Sequence, residues 1–348
     1  MTPKPHVLLL LAILTTSSAF ADWKTVAPGV DYQQFREQNF DVHVSRVDLT
    51  NDQIEVIASR ESEKGTRVSD LAHMEHAVVA INGDYFDEKF SPIGMTVGPC
   101  GEWEDVKKTR REGLLVLGSQ KGRITRPSET KLTDTPEEWV ETAMSGWPSL
   151  IVDCDVLSPT ELPGSDAFTR APHPRTAVGL TEDRKTLFLV VADGRRTGIP
   201  GMTLAQLGEF MHERLNACSA LNLDGGGSSA MWVSDRIVNR PADGVERRVG
   251  DHLAVVLKKD LVSCDDDAEA QKVAAIRLRD AQKPPAATTP TPARTGASSS
   301  STATRPGPAS TTATATATAQ AASPTTTSPT TTSPTTTSKT TTSPPPPR

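Results

Sequence analysis

The chain has no excess of positive charge: 37 Lys and Arg stand against 43 Asp and Glu, a net charge of −6. A protein that coats duplex nucleic acid needs a cationic footprint, so that class is excluded. Only 36% of residues are hydrophobic, and one long apolar run is present, which excludes a polytopic membrane protein. There are only four cysteines and no C-x-x-C spacing, so a cysteine zinc site is not expected. A Gly-x-Ser-x-Gly elbow, a phosphate-binding Walker loop and a dinucleotide fingerprint are absent as well.

Acidic residues are also missing from both ends. Residues 1–21 and 281–348 hold none, which leaves residues 22–280 with a net charge of −12. At the N-terminus, Lys4 and His6 precede the apolar run Val7 to Leu14, and Ala19-Phe20-Ala21 supplies small residues at a cleavage position. This pattern predicts a signal peptide over residues 1–21 and a secreted, extracellular or cell-envelope protein. In an oxidising compartment Cys100, Cys154, Cys218 and Cys264 are expected to form two disulfides, with three connectivities open. The stretch 281–348 lacks aromatic residues, Leu, Ile and Val, and repeats Pro-Thr-Thr-Thr-Ser near its end. It cannot bury apolar surface to offset ordering entropy, and reads as disordered, either a spacer that contacts a cell wall or polysaccharide or a tail without a role. Fully extended, it would reach roughly 200 Å.

The remaining chain divides into a lead-in over 22–39, a body over 40–264 and a short charged, helix-compatible segment over 265–280. Phe40 to Val47 alternates apolar and polar residues, the period of a half-buried strand. Apolar runs at Ile54–Ala58, Ala77–Ile81, Leu114–Leu117, Thr176–Leu180, Leu187–Ala192, Ala220–Leu223 and Leu253–Leu257 predict buried strands. Ser69 reads as the cap of a short helix. Thr203 to Asn216 is the best helix, with Leu204, Leu207, Phe210, Met211 and Leu215 on one face. Many strands with few helices predict an α+β domain with one mixed sheet.

Chemistry gathers where these apolar runs end. Asn82-Gly83-Asp84 follows one strand, Arg175 opens another, and Asp193-Gly194-Arg195 closes a third. Asn222-Leu223-Asp224-Gly225-Gly226-Gly227-Ser228-Ser229 closes a fourth. Three successive glycines allow a close backbone approach, and their amides with Ser228 and Ser229 suit an anion. The planar fork of Arg175 suits a phosphate or carboxylate. Asp84 and Asp224 are candidate catalytic carboxylates, although each could be a simple turn residue.

These segments, together with Val238-Asn239-Arg240-Pro241 and Arg248-Val249-Gly250-Asp251-His252-Leu253, resemble the phosphodiester glycosidase family over about residues 40–258. The chain departs from the family's usual residues at Asp84, Cys154 and Gln206. The resemblance implies a hydrolase that cleaves a sugar-1-phosphodiester at the anomeric C–O bond, and the chemistry of that bond then assigns Asp224, Asp84 and Arg175 to catalysis. Asn82, Gly83, Asp193, Arg195, Gly225, Gly226, Gly227, Ser228, Ser229, Asn239 and Arg248 would contact a sugar-phosphate or glycan substrate. No cofactor is required on this reading, and no residue is assigned to a metal. Two alternatives stand beside it: a metal-dependent phosphodiesterase holding a divalent cation with Asp84, Asp193 and Asp224, and a wall-glycan binding module without catalysis.

Overall fold

The computed structural model describes residues 22–106, 113–125 and 139–264. The expected signal peptide, the charged 265–280 segment and the 281–348 spacer lie outside the described residues. Among the described residues the body is built mostly from β-strands in three sheets, with three short α-helices. The first sheet has eight strands, in the order Lys24–Ala27, Val30–Glu37, Phe40–Asp48, Thr186–Ala192, Arg175–Thr181, Ala217–Asn222, Ser149–Val152 and Asp155–Val156. The second runs Gly101–Glu102, Thr96–Gly98, Thr142–Gly146, Gly113–Gly118 and Lys121–Thr125. The third runs Arg236–Ile237, Met231–Val233, Val79–Asn82, His252–Leu257 and Ile54–Ala58.

The ladders among the described residues are antiparallel, so the expected single mixed sheet is replaced by three antiparallel ones. The lead-in takes part: Val30–Glu37 pairs along its whole length with Phe40–Asp48.

The apolar runs are continuous because their strands are covered on both faces. Val178 and Leu180, Val79 and Ile81, and Leu115 and Leu117 bring the three sheets together in one core. The alternate residues turn outward to a helix. Ala177, Val190 and Phe188 meet Leu204, Leu207, Phe210, Met211 and Leu215 of helix Leu204–Leu215. Ala80, Ala254 and Val256 meet Val68, Leu71 and Ala72 of helix Val68–Met74.

The longer helix starts where the sequence indicates. Gln206 N donates to Thr203 Oγ1 at 3.1 Å and Gln206 Oε1 accepts from Thr203 N at 3.0 Å, a reciprocal cap. Asn216 ends it in the left-handed region at φ 57°. The shorter helix begins differently from expectation. Its cap position is Arg67, and the Ser69 N–H is satisfied by Glu246 Oε2 at 3.0 Å, from a distant loop. The cysteines pair as Cys100–Cys264 and Cys154–Cys218.

Leu207 is fully buried between the helix and the first sheet. Leu207→Ala should destabilise the body by about 2–5 kcal/mol. Thr203→Ala should cost about 1 kcal/mol through the cap alone. Denaturant melts of the two variants check both values.

Candidate active site

Antiparallel pairing places the predicted segments at one end of the sheets. Arg175 is paired with Ala192, and Ala177 with Asn222, so the start of one strand lies beside the ends of two others. In the third sheet His252 is paired with Asn82, which brings Asp251 next to Gly83 and Asp84.

Asn82 joins the two sheets. Its Nδ2 donates to the Asp224 carbonyl at 2.7 Å, and its Oδ1 accepts from Thr176 Oγ1 at 2.8 Å and Ala230 N at 3.2 Å. The side chain is fully buried and its bonds go to the protein, which makes it a holder of the glycine-rich turn. Gly83 extends the same stitch, its N–H donating to the Asp251 carbonyl and its carbonyl accepting from Asp224 N. A Cβ at Gly83 would lie 2.7 Å from Met144 Cε and would collide with Asp251 Oδ1, so only glycine fits.

Asp84 is buried, and its backbone N–H donates to Asp251 Oδ1 at 2.7 Å. The other oxygen of Asp251 accepts from Thr96 Oγ1 at 2.7 Å. Burial pushes the Asp251 carboxyl up to about 6, against the opposing pull of those hydrogen bonds. Asp251 is the residue that reading the chain had left inside a motif without a role. Its signal was only its position after Gly250, two residues before a buried strand run.

Asp224 is half-buried, and its Oδ1 accepts from Gly225 N at 2.9 Å. Burial raises its carboxyl above the ordinary range, offset by the Ser228 hydroxyl, the Gly225 N–H and the Arg247 charge. Gly226 N donates to the Pro174 carbonyl at 2.9 Å. The Gly225 and Gly226 amides are therefore committed within the protein, and the glycines serve mainly to let other groups approach. A Cβ on Gly225 would stand 2.8 Å from Pro174 O, one on Gly226 would stand 3.0 Å from Arg195 Nη2, and one on Gly227 would strike the Arg247–Asp243 ion pair. Ser228 and Ser229 are buried beneath this turn, Arg248 is half-buried, and Arg195 is exposed above it without an ion pair among the described residues.

Arg175 is 2% exposed. Its Nε donates to Met202 O at 2.9 Å, and its Nη2 donates to Phe168 O at 2.6 Å and Ala171 O at 3.1 Å. The Nη1 group makes no hydrogen bond among the described residues, and no carboxylate there pairs with the side chain. Burial pushes the guanidinium down to about 10, still charged at neutral pH. Beside it stands an aromatic group that the composition did not announce. Phe168 stacks on Trp147 at 5.2 Å, meets Tyr85 edge-on at 6.4 Å, and carries Arg175 Cζ 5.3 Å above its ring. Asn222 Nδ2 donates to Tyr85 Oη at 2.7 Å and to Trp147 O at 2.8 Å, fixing two members of the group.

Asp193 and Asn239 lie deeper. Asp193 Oδ1 accepts from Asn239 Nδ2 at 3.1 Å and Arg240 N at 3.0 Å, while Oδ2 accepts from Arg196 Nη2 at 2.7 Å. Asn239 Nδ2 also donates to Ser229 O at 3.1 Å, so this pair supports the turn from behind. The expected metal trio of Asp84, Asp193 and Asp224 is not gathered in the structure. Among the described residues, the one group of three donors close enough to hold an ion is Asp41, His43 and Asp193. A separate cavity of about 380 Å³ lies on the helix side, lined in part by Phe40, Met202 and Phe210.

One end of the sheets thus joins a buried guanidinium, an aromatic group, the buried Asp84 and Asp251, and the glycine-rich turn that carries Asp224. The chain belongs to the Phosphodiester glycosidase family, whose sequence pattern matches residues 75–256. It is 28% identical over 201 residues to N-acetylglucosamine-1-phosphodiester alpha-N-acetylglucosaminidase of Bos taurus, covering 52% of this chain and 36% of that protein. Over 100 residues it is 37% identical to the SPbeta prophage-derived uncharacterized protein YomE of Bacillus subtilis, covering 28% of this chain and 14% of that one. The chain thus spans about a third or less of the length of these two relatives. The fold is shared with the zebrafish N-acetylglucosamine-1-phosphodiester alpha-N-acetylglucosaminidase catalytic domain auto-inhibited by its pro-peptide, at a TM-score of 0.53 and 18% identity, over 67% of this chain and 85% of that one. A hypothetical protein from Synechocystis aligns at a TM-score of 0.50 and 17% identity, over 67% of this chain and 63% of that one.

The raised Asp251 carboxyl has a consequence for stability. A carboxyl held above its unfolded value of 3.8 favours folding most when protonated, and that contribution is lost as pH rises through about 6. Asp251→Asn removes the titration. The stability of the variant relative to wild type should therefore improve by about 3 kcal/mol at most between pH 4 and pH 7. Urea melts across that range check the sign: a difference that is flat, or that falls, contradicts it.

Proposed function

We propose that this chain is a hydrolase of sugar-1-phosphodiesters, of the GlcNAc-1-phosphodiester type, that cleaves the anomeric C–O bond and releases the sugar and a phosphomonoester. The observation that carries the reading is Arg175: a buried guanidinium fixed by three carbonyls, with Nη1 left unbonded among the described residues. A cation held this way is already oriented for a phosphate before substrate arrives. The half-buried Trp147, Tyr85 and Phe168 provide an apolar face against which a sugar ring can stack.

The leaving group in this reaction is a phosphate monoester, an acceptable anion whose second pKa is about 6. It requires charge stabilisation more than a proton, and Arg175, with Arg195 above Gly226, supplies positive charge on that side. Asp224 and Asp84 then stand on the sugar side. One supports the oxocarbenium-like centre and the other orients water, in the division of labour that paired carboxylates provide. Asn82, Gly83, Asn239 and Asp193 contribute by holding Asp84 and the glycine-rich turn in place.

Export is part of the same reading. Two disulfides tie the body together, in keeping with an oxidising compartment outside the cytosol. None of the described helices is long and apolar enough to cross a membrane.

Incubation of the full chain with a GlcNAc-1-phosphodiester in oxygen-18 water tests the bond broken. Label in the released sugar is expected. Label in the phosphate would mean P–O cleavage and would sink the glycosidase reading, and absence of turnover on a panel of such diesters would favour a glycan-binding module. Arg175→Lys keeps a charge but loses the fork, and kcat/KM should fall about 10²-fold or more with the circular dichroism spectrum unchanged. An unchanged kcat/KM would remove Arg175 from phosphate binding.

A further inference from the structure

We propose that Asp41, His43 and Asp193 form a divalent-metal site that braces the glycine-rich turn from behind, separate from the groups that face the substrate. The proposal goes beyond the diester reading and does not depend on it.

The three residues lie on neighbouring strands of the first sheet, where His43 is paired with Val191 and Val42 with Ala192. All three are at least 97% buried, with His43 at 1% exposure, Asp193 at 2% and Asp41 at 3%. Their donor atoms lie within 4.8 Å of one another. His43 Nε2 is buried with no hydrogen-bond partner, and points at Asp41 Oδ1 at 3.6 Å and Asp193 Oδ2 at 3.9 Å. A tetrahedral ion with ligands at about 2.1 Å needs donor atoms roughly 3.4 Å apart, so the two His43 contacts need to close by only a few tenths of an ångström and the carboxylate pair draws in from within 4.8 Å.

The surroundings suit a metal-bound imidazole. His43 Nδ1 lies 2.8 Å from Tyr32 Oη, a partner that sets the ring orientation and leaves Nε2 as the ligand atom. With Nδ1–H donating to that hydroxyl, the Nε2 lone pair faces two carboxylates, an arrangement that a cation between them stabilises. The outer partners of the carboxylates are in place too. Gln34 Nε2 donates to Asp41 Oδ1 at 2.6 Å, and Asn239 and Arg240 hold Asp193 Oδ1.

One group competes. Arg196 Nη2 sits 2.7 Å from Asp193 Oδ2 and 3.2 Å from Asp41 Oδ2, and gives one positive charge to two carboxylates. Its side chain is 20% exposed and sits in the loop after Ala192, so it can turn to solvent when an ion enters. The ligand set of one imidazole and two carboxylates suits Zn²⁺ or Mn²⁺. Through Asp193 and Asn239 the ion would bear on Ser229, hence on the turn that carries Asp224.

The test is calorimetric titration of the chelator-treated full chain with zinc chloride and, separately, manganese chloride, with bound metal counted after gel filtration and melting followed with and without ion. One ion per chain is expected, with a rise in melting temperature. Affinity should weaken at least tenfold in His43→Ala and strengthen at least tenfold in Arg196→Ala, where the competing charge is gone. Arg196→Ala lies on the surface side of the cluster, so it keeps the test valid if His43→Ala fails to fold. Failure of both wild type and Arg196→Ala to take up either ion would overturn the site. Uptake that neither substitution changes would overturn it equally, because the ion would then be bound elsewhere.

Discussion

The arrangement of the site depends on one buried amide. Asn82 stands at the end of a strand in the third sheet and makes hydrogen bonds to Thr176 in the first sheet, to the Asp224 carbonyl and to Ala230 N. No water reaches these groups, so each bond lost would leave a polar group unsatisfied at about 1–3 kcal/mol. Remove the amide, and the polar registration of the two sheets at this end falls back on the Asp224 N to Gly83 carbonyl bond. The turn that carries Asp224 would keep its bonds to Pro174 and Asn239 but lose the side chain that ties it to both Thr176 and Ala230.

The same economy governs the charges. Arg175 and Asp251 are each buried without an ion-pair partner of opposite sign among the described residues, and each is held by uncharged donors or acceptors. Arg175 is surrounded by carbonyls, while Asp251 receives an N–H and a hydroxyl. Their burial is costly and shows in the direction of both pKa shifts, downward for the base and upward for the acid. A fold that needed these positions only for packing would be better served by apolar residues of similar size. Placing two such groups at one sheet end points to a requirement other than stability.

Much of this was legible before any coordinates. The strands could be found because sheets covered on both faces demand continuous apolar runs, and the helix because Thr203 caps it and Leu204, Leu207, Phe210, Met211 and Leu215 share one face. The ends of those runs also meet at one end of the sheets, where Asn-Gly-Asp and Asp-Gly-Gly-Gly serve as turns as well as candidate site residues. What could not be read was pairing across the chain. Trp147, Phe168 and Tyr85 come from three distant segments and become one face only in three dimensions. The sheet count was misjudged for the same reason, because apolar runs give no sign of which neighbour they pair with. The glycine amides were expected to face an anion, whereas Gly225 and Gly226 spend theirs on Asp224 and Pro174, a choice fixed by the turn's tertiary partners.

The position of Asp193 shows how a motif can be right in place and different in use. Asp-Gly-Arg closes an apolar strand, and a carboxylate there was expected to meet a sugar hydroxyl. In the fold the strand end turns inward, so Asp193 faces His43 and Arg196 on the core side while Arg195 faces outward over Gly226. The left-handed backbone at Arg195, φ 55°, reverses the chain at that point and separates the two directions. One tripeptide thus supplies a buried brace and an exposed cation. The turn between them is clamped from both sides, which makes the rigidity of the glycine-rich segment a property of its neighbours, because three glycines have little stiffness of their own.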